Sequence, residues 1–152
     1  MPDSFEMKTF FLSREEIKNP LVDEIKKICV GIEVKLLSIS ARYGKRMLMA
    51  SKGVSELSNF VEVVDYNPVN NIALVIGIEE PCDLVLHWLI YRREEINAIA
   101  HFTCKEGKYI EDIDTAMEVI KSLKDSNLVE LEGYGKIAVG KSLRELKERI
   151  KC

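Results

Sequence analysis

His101 and Thr103 stand two residues apart at the end of the apolar run Asn97-Ala98-Ile99-Ala100, so in an extended strand both point to one face. That pairs an imidazole, able to hold a metal or move a proton, with a hydroxyl. The ends of strands are where open α/β sheets keep their chemistry. Asp83 opens the helix just upstream, and its carboxylate reads either as an N-cap or as an acid/base group that would need an electrophile nearby. His87 falls on the apolar face of that helix and reads as a packed or hydrogen-bonded core residue rather than a ligand.

The helix that positions Asp83 follows Pro81 and starts near Cys82 or Asp83. Leu84, Leu86, His87, Leu89, Ile90 and Tyr91 cover its buried face, and Arg92 to Glu95 close its far end in a solvated charge cluster. Upstream, residues 1–12 read as a loosely held arm or short edge strand, with Ser13 as an N-cap. Helical spacing of Leu21, Val22, Ile25, Ile28, Cys29 and Ile32 predicts a helix to about Gly31. Residues 34–49 form a hairpin about Gly44, Ala50-Ser51-Lys52-Gly53 a polar turn, and 60–65 and 72–76 two strands separated by an Asn/Pro turn. Past a turn at 105–108 come a helix over 112–123, a strand over 128–131, the tight turn Gly133-Tyr134-Gly135, a strand over 136–140 and a last helix capped by Ser142. This order predicts a layered α/β or α+β sandwich rather than βαβ repeats.

The chain has 152 residues, 47% of them hydrophobic, enough for one core and one domain spanning 1–152. Its 22 basic and 25 acidic residues are dispersed, with a net charge of -3, so neither a nucleic-acid footprint nor a polybasic membrane patch is expected. No apolar run reaches membrane-spanning length and no leader pattern is visible, so the expected location is the cytoplasm. The four cysteines show no C-x-x-C spacing, and reduced thiols are expected.

A short turn with an acid, a helix carrying His87-x-x-x-Tyr91, and then Asn97-Ala98-Ile99-x-His101 resemble the class II aldolase and adducin-head family. Further similarities extend from about Leu21 to the end. Leu37-Ser38-Ile39-Ser40-Ala41-Arg42 is similar to the family's Gly-Asn-x-Ser-x-Arg hairpin, Ala50-Ser51-Lys52-Gly53 to its Thr-Pro-x-Gly phosphate-side turn, and Val61-Glu62-Val63-Val64-Asp65 to its Val-x-Val-Asp strand. Gly133-Tyr134-Gly135 stands where the family has His-His-Gly. The resemblance implies a class II aldolase-like sandwich, α/β in class, with a central, mostly antiparallel β-sheet flanked by helices. It also implies a homo-oligomer.

In that family a zinc on three histidines polarises a carbonyl, and a glutamate before the helix is the acid/base. Carried over, the ligand positions are His101, Thr103 and Tyr134, and the acid is Asp83. With only two histidines in the chain, a three-histidine site within one chain cannot be built. No cofactor is therefore expected, the alternative being zinc or another divalent metal with Cys104, Cys82 or Asp83 as substitute ligand, and His101 reads as a remnant of a metal site. Tyr134 either fills its turn or donates its phenol into the former metal pocket. The family's phosphate-binding positions carry over to Ser38, Lys52, Gly53 and Cys82; Lys52 would hold a phosphate as a point charge, or stand as an ordinary solvated lysine. The expected function is a non-aldolase protein of this fold, binding a small phosphorylated metabolite or serving as an oligomeric scaffold. The other reading is a lyase or epimerase on a sugar phosphate, rebuilt around Asp83, His101, Lys52 and Tyr134.

Overall fold

The computed structural model describes residues 6–51 and 60–152, so Lys52 and Gly53 lie outside the described residues. Among the described residues eight strands form one sheet: β1 (Lys8–Ser13), β2 (Lys35–Tyr43), β3 (Arg46–Ser51), β4 (Phe60–Asn67), β5 (Ile72–Gly77), β6 (Ala98–Thr103), β7 (Leu128–Leu131) and β8 (Gly135–Gly140). Their spatial order is β1-β5-β4-β3-β2-β6-β8-β7. Among these strands the β1–β5 pair is parallel and the other neighbours run antiparallel, as expected of the mostly antiparallel sheet.

Helices α1 (Pro20–Val30) and α4 (Leu143–Arg149) cover one face; α2 (Leu84–Ile90) and α3 (Ile113–Ser122) cover the other. Each strand divides its residues between the layers with the period of two that the pleat imposes. In β6, Ala98, Ala100 and Phe102 join the core under α1 and α4, whereas Ile99 joins the core under α2 and α3. Ends form as their residues dictate: Asn19 caps α1 with Pro20 behind it, Asp112 accepts from the Thr115 N–H, and Ser142 from that of Glu145.

Three local expectations are corrected. Ser13 ends the edge strand β1 instead of capping a helix, because main-chain pairing with β5 holds it extended. Ala50 and Ser51 remain in β3, paired with Ile39 and Ser38, rather than opening a turn. The four cysteines are not all reduced: Cys104 and Cys152 form a disulfide that ties the end of β6 to the segment after α4. Their 48-residue separation hides the pairing from any local spacing rule. Cys29 and Cys82 keep their thiols, and burial pushes that of Cys29 up to about 11. Among the described residues no helix is long and apolar enough to cross a membrane.

Candidate functional site

Two polar stripes meet between β2 and α2. Alternate strand residues recur about every 6.6–6.8 Å, and every fourth helix residue recurs about every 6 Å, so the two spacings can run in step. Ser38, Ser40 and Arg42 supply the strand stripe; Asp83, His87 and Tyr91 supply the helix stripe. Ser38 Oγ lies 2.5 Å from Asp83 Oδ2 and 2.8 Å from His87 Nε2. One step along, Ser40 Oγ lies 2.6 Å from His87 Nδ1 and 2.8 Å from the Tyr91 hydroxyl. Arg42 ends the stripe by donating to the carbonyls of Tyr91, Arg93 and Ile96, with its guanidinium over the Tyr91 ring.

Asp83 is the junction. It precedes α2 with φ 63°, in the left-handed region, and its side chain makes no capping bond. The N-cap reading is therefore corrected: the carboxylate turns inward to the sheet. Its Oδ1 accepts from the Ile110 N–H at 2.6 Å and its Oδ2 faces His101 Nδ1 at 2.7 Å, while its own N–H donates to Glu111 at 2.7 Å. Asp83 and His101 are both fully buried.

The other imidazole nitrogen of His101, Nε2, lies 2.8 Å from the Tyr134 carbonyl oxygen. A carbonyl can only accept, so Nε2 carries a proton. The 2.7 Å contact on the far side needs a second proton, on Nδ1 or on Asp83. Both ring nitrogens are thereby engaged. Backbone geometry sets this up: a Cβ on Gly135 (φ 114°) would approach the Phe102 oxygen to 2.5 Å, and one on Gly107 would approach the Tyr134 oxygen to 2.5 Å. Glycine at those two places lets the 105–110 loop, the 133–135 turn and β6 close around His101.

His87 is likewise enclosed, and burial pushes its imidazole down to about 4, with Asp83 pulling it up and His101 pushing it further down. It is neutral, with one nitrogen donating and the other accepting. Burial raises the Tyr91 phenol above its ordinary range, so Tyr91 keeps its proton.

The expected site residues separate into groups. Asp83, Ser38 and His101 come together in one bonded cluster. Thr103 shares the face of His101 but donates to the Glu106 carbonyl at 2.9 Å. Tyr134 meets His101 through its carbonyl rather than its phenol, and Lys108 Nζ sits over its ring. Cys82 is half-buried, with its N–H held by Ser51 Oγ. Ser40, and His87 as a bonding partner of two serines, were missed; the signal was the matched pair of spacings, Ser38-x-Ser40-x-Arg42 against Asp83-x-x-x-His87-x-x-x-Tyr91.

These donors do not fit a zinc ion. Zinc needs lone pairs aimed at one point, yet His101 has no nitrogen to spare, the Thr103 hydroxyl is engaged and Tyr134 offers a carbonyl. Among the described residues no group of three or more His, Cys, Asp or Glu side chains is arranged to hold a metal. Every buried side-chain nitrogen and oxygen described has a partner. The cluster is closed by its own hydrogen bonds.

No sequence-family model matches the chain, and no curated protein matches it in sequence. Solved structures do. YgbL from Escherichia coli, described as a candidate aldolase/epimerase/decarboxylase, superposes with a TM-score of 0.65 at 15% identity, over 86% of this chain and 83% of its own. A sugar-phosphate aldolase from Thermotoga maritima gives 0.63 at 12% identity, over 85% and 88% of the two chains. The L-fuculose-1-phosphate aldolase from Thermus thermophilus gives 0.53 at 18% identity, over 86% and 84%. The chain has the class II aldolase fold.

Proposed function

We propose that this protein is a homo-oligomeric binder of a small phosphorylated metabolite that does not carry out zinc-dependent aldol cleavage. The observation that carries the reading is the engagement of both His101 nitrogens, by Asp83 and by the Tyr134 carbonyl. A metal-held carbonyl is the electrophile such cleavage relies on, and this arrangement leaves no imidazole to hold the metal. On the phosphate side, Ser38 is already bonded to Asp83 and His87, and the Cys82 N–H to Ser51. Phosphate recognition then rests on Lys52 and Gly53, outside the described residues. Self-association is supported by Phe10 and Leu12, exposed at 61% and 50% on the edge strand β1.

The test is thermal stabilisation by a sugar phosphate against its parent sugar. Stabilisation by the phosphate alone, lost in Lys52→Ala, is the expected result; equal response to both compounds, or zinc-dependent turnover, would overturn it. A second reading, metal-independent acid/base chemistry on a sugar phosphate by Asp83 and His101, is favoured by the φ of 63° at Asp83, since such strain gathers at active sites. Turnover in the wild type that disappears in Asp83→Asn while binding persists would select it. A cytoplasmic location requires the Cys104–Cys152 pair to be reduced or shielded there. Alkylation of the two thiols in fresh extracts reads that state.

A further inference from the structure

Five contacts run without a break from Tyr91 through Ser40, His87 and Ser38 to Asp83 and on to His101, at 2.8, 2.6, 2.8, 2.5 and 2.7 Å. Ser38, Ser40, Asp83, His87 and His101 are 0% exposed, whereas Tyr91 is 7% exposed and lines a cleft of about 260 Å³ with Arg42, Met47 and Trp88. Each of the four contacts between Tyr91 and Asp83 has room for one proton. With the Asp83 carboxylate ionised and the second proton of the His101 contact on Nδ1, only one direction uses them all: Tyr91 O–H donates to Ser40, Ser40 to His87 Nδ1, His87 Nε2–H to Ser38, and Ser38 to the Asp83 carboxylate. The opposite direction needs a proton on Asp83 and turns the Tyr91 proton out of the seam.

We propose that this seam is a proton relay joining the Tyr91 cleft to the enclosed carboxylate of Asp83. In one passage water in the cleft gives a proton to the Tyr91 oxygen as the phenolic proton moves to Ser40. The Ser40 proton moves to His87 Nδ1, the His87 Nε2 proton to Ser38, and the Ser38 proton to Asp83. One proton leaves solvent and one arrives on the carboxylate; no group in between changes its charge. His87 changes tautomer, from Nε2–H to Nδ1–H, so its tautomer reports whether Asp83 holds the proton. The relay lets a group with no exposed surface equilibrate with solvent without the 105–111 loop opening. The proposal stands on the geometry of the seam and is independent of the phosphate reading.

Proton-exchange NMR on the intact protein tests it. The His87 side-chain N–H is followed against the backbone N–H of the same residue, which donates to the Asp83 carbonyl and exchanges only when the structure opens. The expected result is a resting Nε2–H tautomer whose proton exchanges about tenfold or more faster than that amide, and slows to the amide rate in Tyr91→Phe. Ser40→Ala, which cuts the chain midway, slows it likewise, and Ser40→Thr, which keeps the hydroxyl, restores it. A resting Nδ1–H tautomer, side-chain exchange no faster than the amide in the wild type, or exchange unchanged in both Tyr91→Phe and Ser40→Ala would overturn the relay. If Tyr91→Phe does not fold, the Ser40 pair decides alone.

Discussion

The same strands build two unlike interiors. Towards α1 and α4, β2 and β6 send Ile39, Ala41, Ala98, Ala100 and Phe102 into a wholly apolar layer. Towards α2 they send Ser38, Ser40 and His101 into a layer where every polar atom has a named partner. On the first face shape and volume decide, and hydrophobic residues of similar size exchange at small cost. On the second, each group satisfies another, so removing one leaves its partners buried and unpaired. Tolerance to substitution is thus set by the face of the sheet rather than by depth of burial, which is complete on both.

The harshest way to break the comparison is Asp83→Ala. It strips partners from the Ser38 hydroxyl, the His101 imidazole and the Ile110 N–H together. A loss of roughly 5 kcal/mol is expected in urea unfolding, because a buried pair is broken and neutral donors are orphaned at once. Reduction of Cys104–Cys152 should come next, at about 4 kcal/mol for a separation of 48 residues, by restoring chain entropy to the unfolded state. Unfolding with and without a dithiol reductant measures it.

A third effect concerns pH and belongs to the polar face alone. Burial holds His87 at about 4 in the folded protein, below the ordinary value near 6.5. Between those values the unfolded chain binds the extra proton, so stability is full above pH of about 6.5 and falls as pH drops towards about 4. The loss totals about 3 kcal/mol, and unfolding curves across that window should show it vanish in His87→Gln. The smallest effect sharpens the contrast from the other side. Ile39→Val, on the apolar face, should cost about 1 kcal/mol and leave the pH profile of stability unchanged.

Much of the fold was legible because its signals are local. The hairpin at Gly44, the helix behind Pro20 and the strand 98–103 follow from turn chemistry and periodicity, and the order of short motifs carried the aldolase-like resemblance. The site was legible only in its members. That Asp83 and His101 belong together could be read from the chain, but that Asp83 points inward instead of capping α2 depends on a positive φ, which aspartate tolerates better than most residues but which its place before a helix does not announce. Ser38 and Ser40 alternate with apolar residues, a pattern that ordinarily marks a solvated face; α2 buries that face and answers it with His87 and Tyr91. Tyr134 acts through its main chain, and any residue with the same backbone would present that carbonyl. The Cys104–Cys152 link joins distant segments and leaves no local trace.

Zinc content tests the central claim most directly. After equilibration of the purified protein with excess zinc and removal of unbound ion by gel filtration, elemental analysis should find far less than one zinc per chain, unchanged in His101→Ala. One zinc retained per chain and lost on that substitution would show that His101 frees a nitrogen for metal, contradicting the closed cluster.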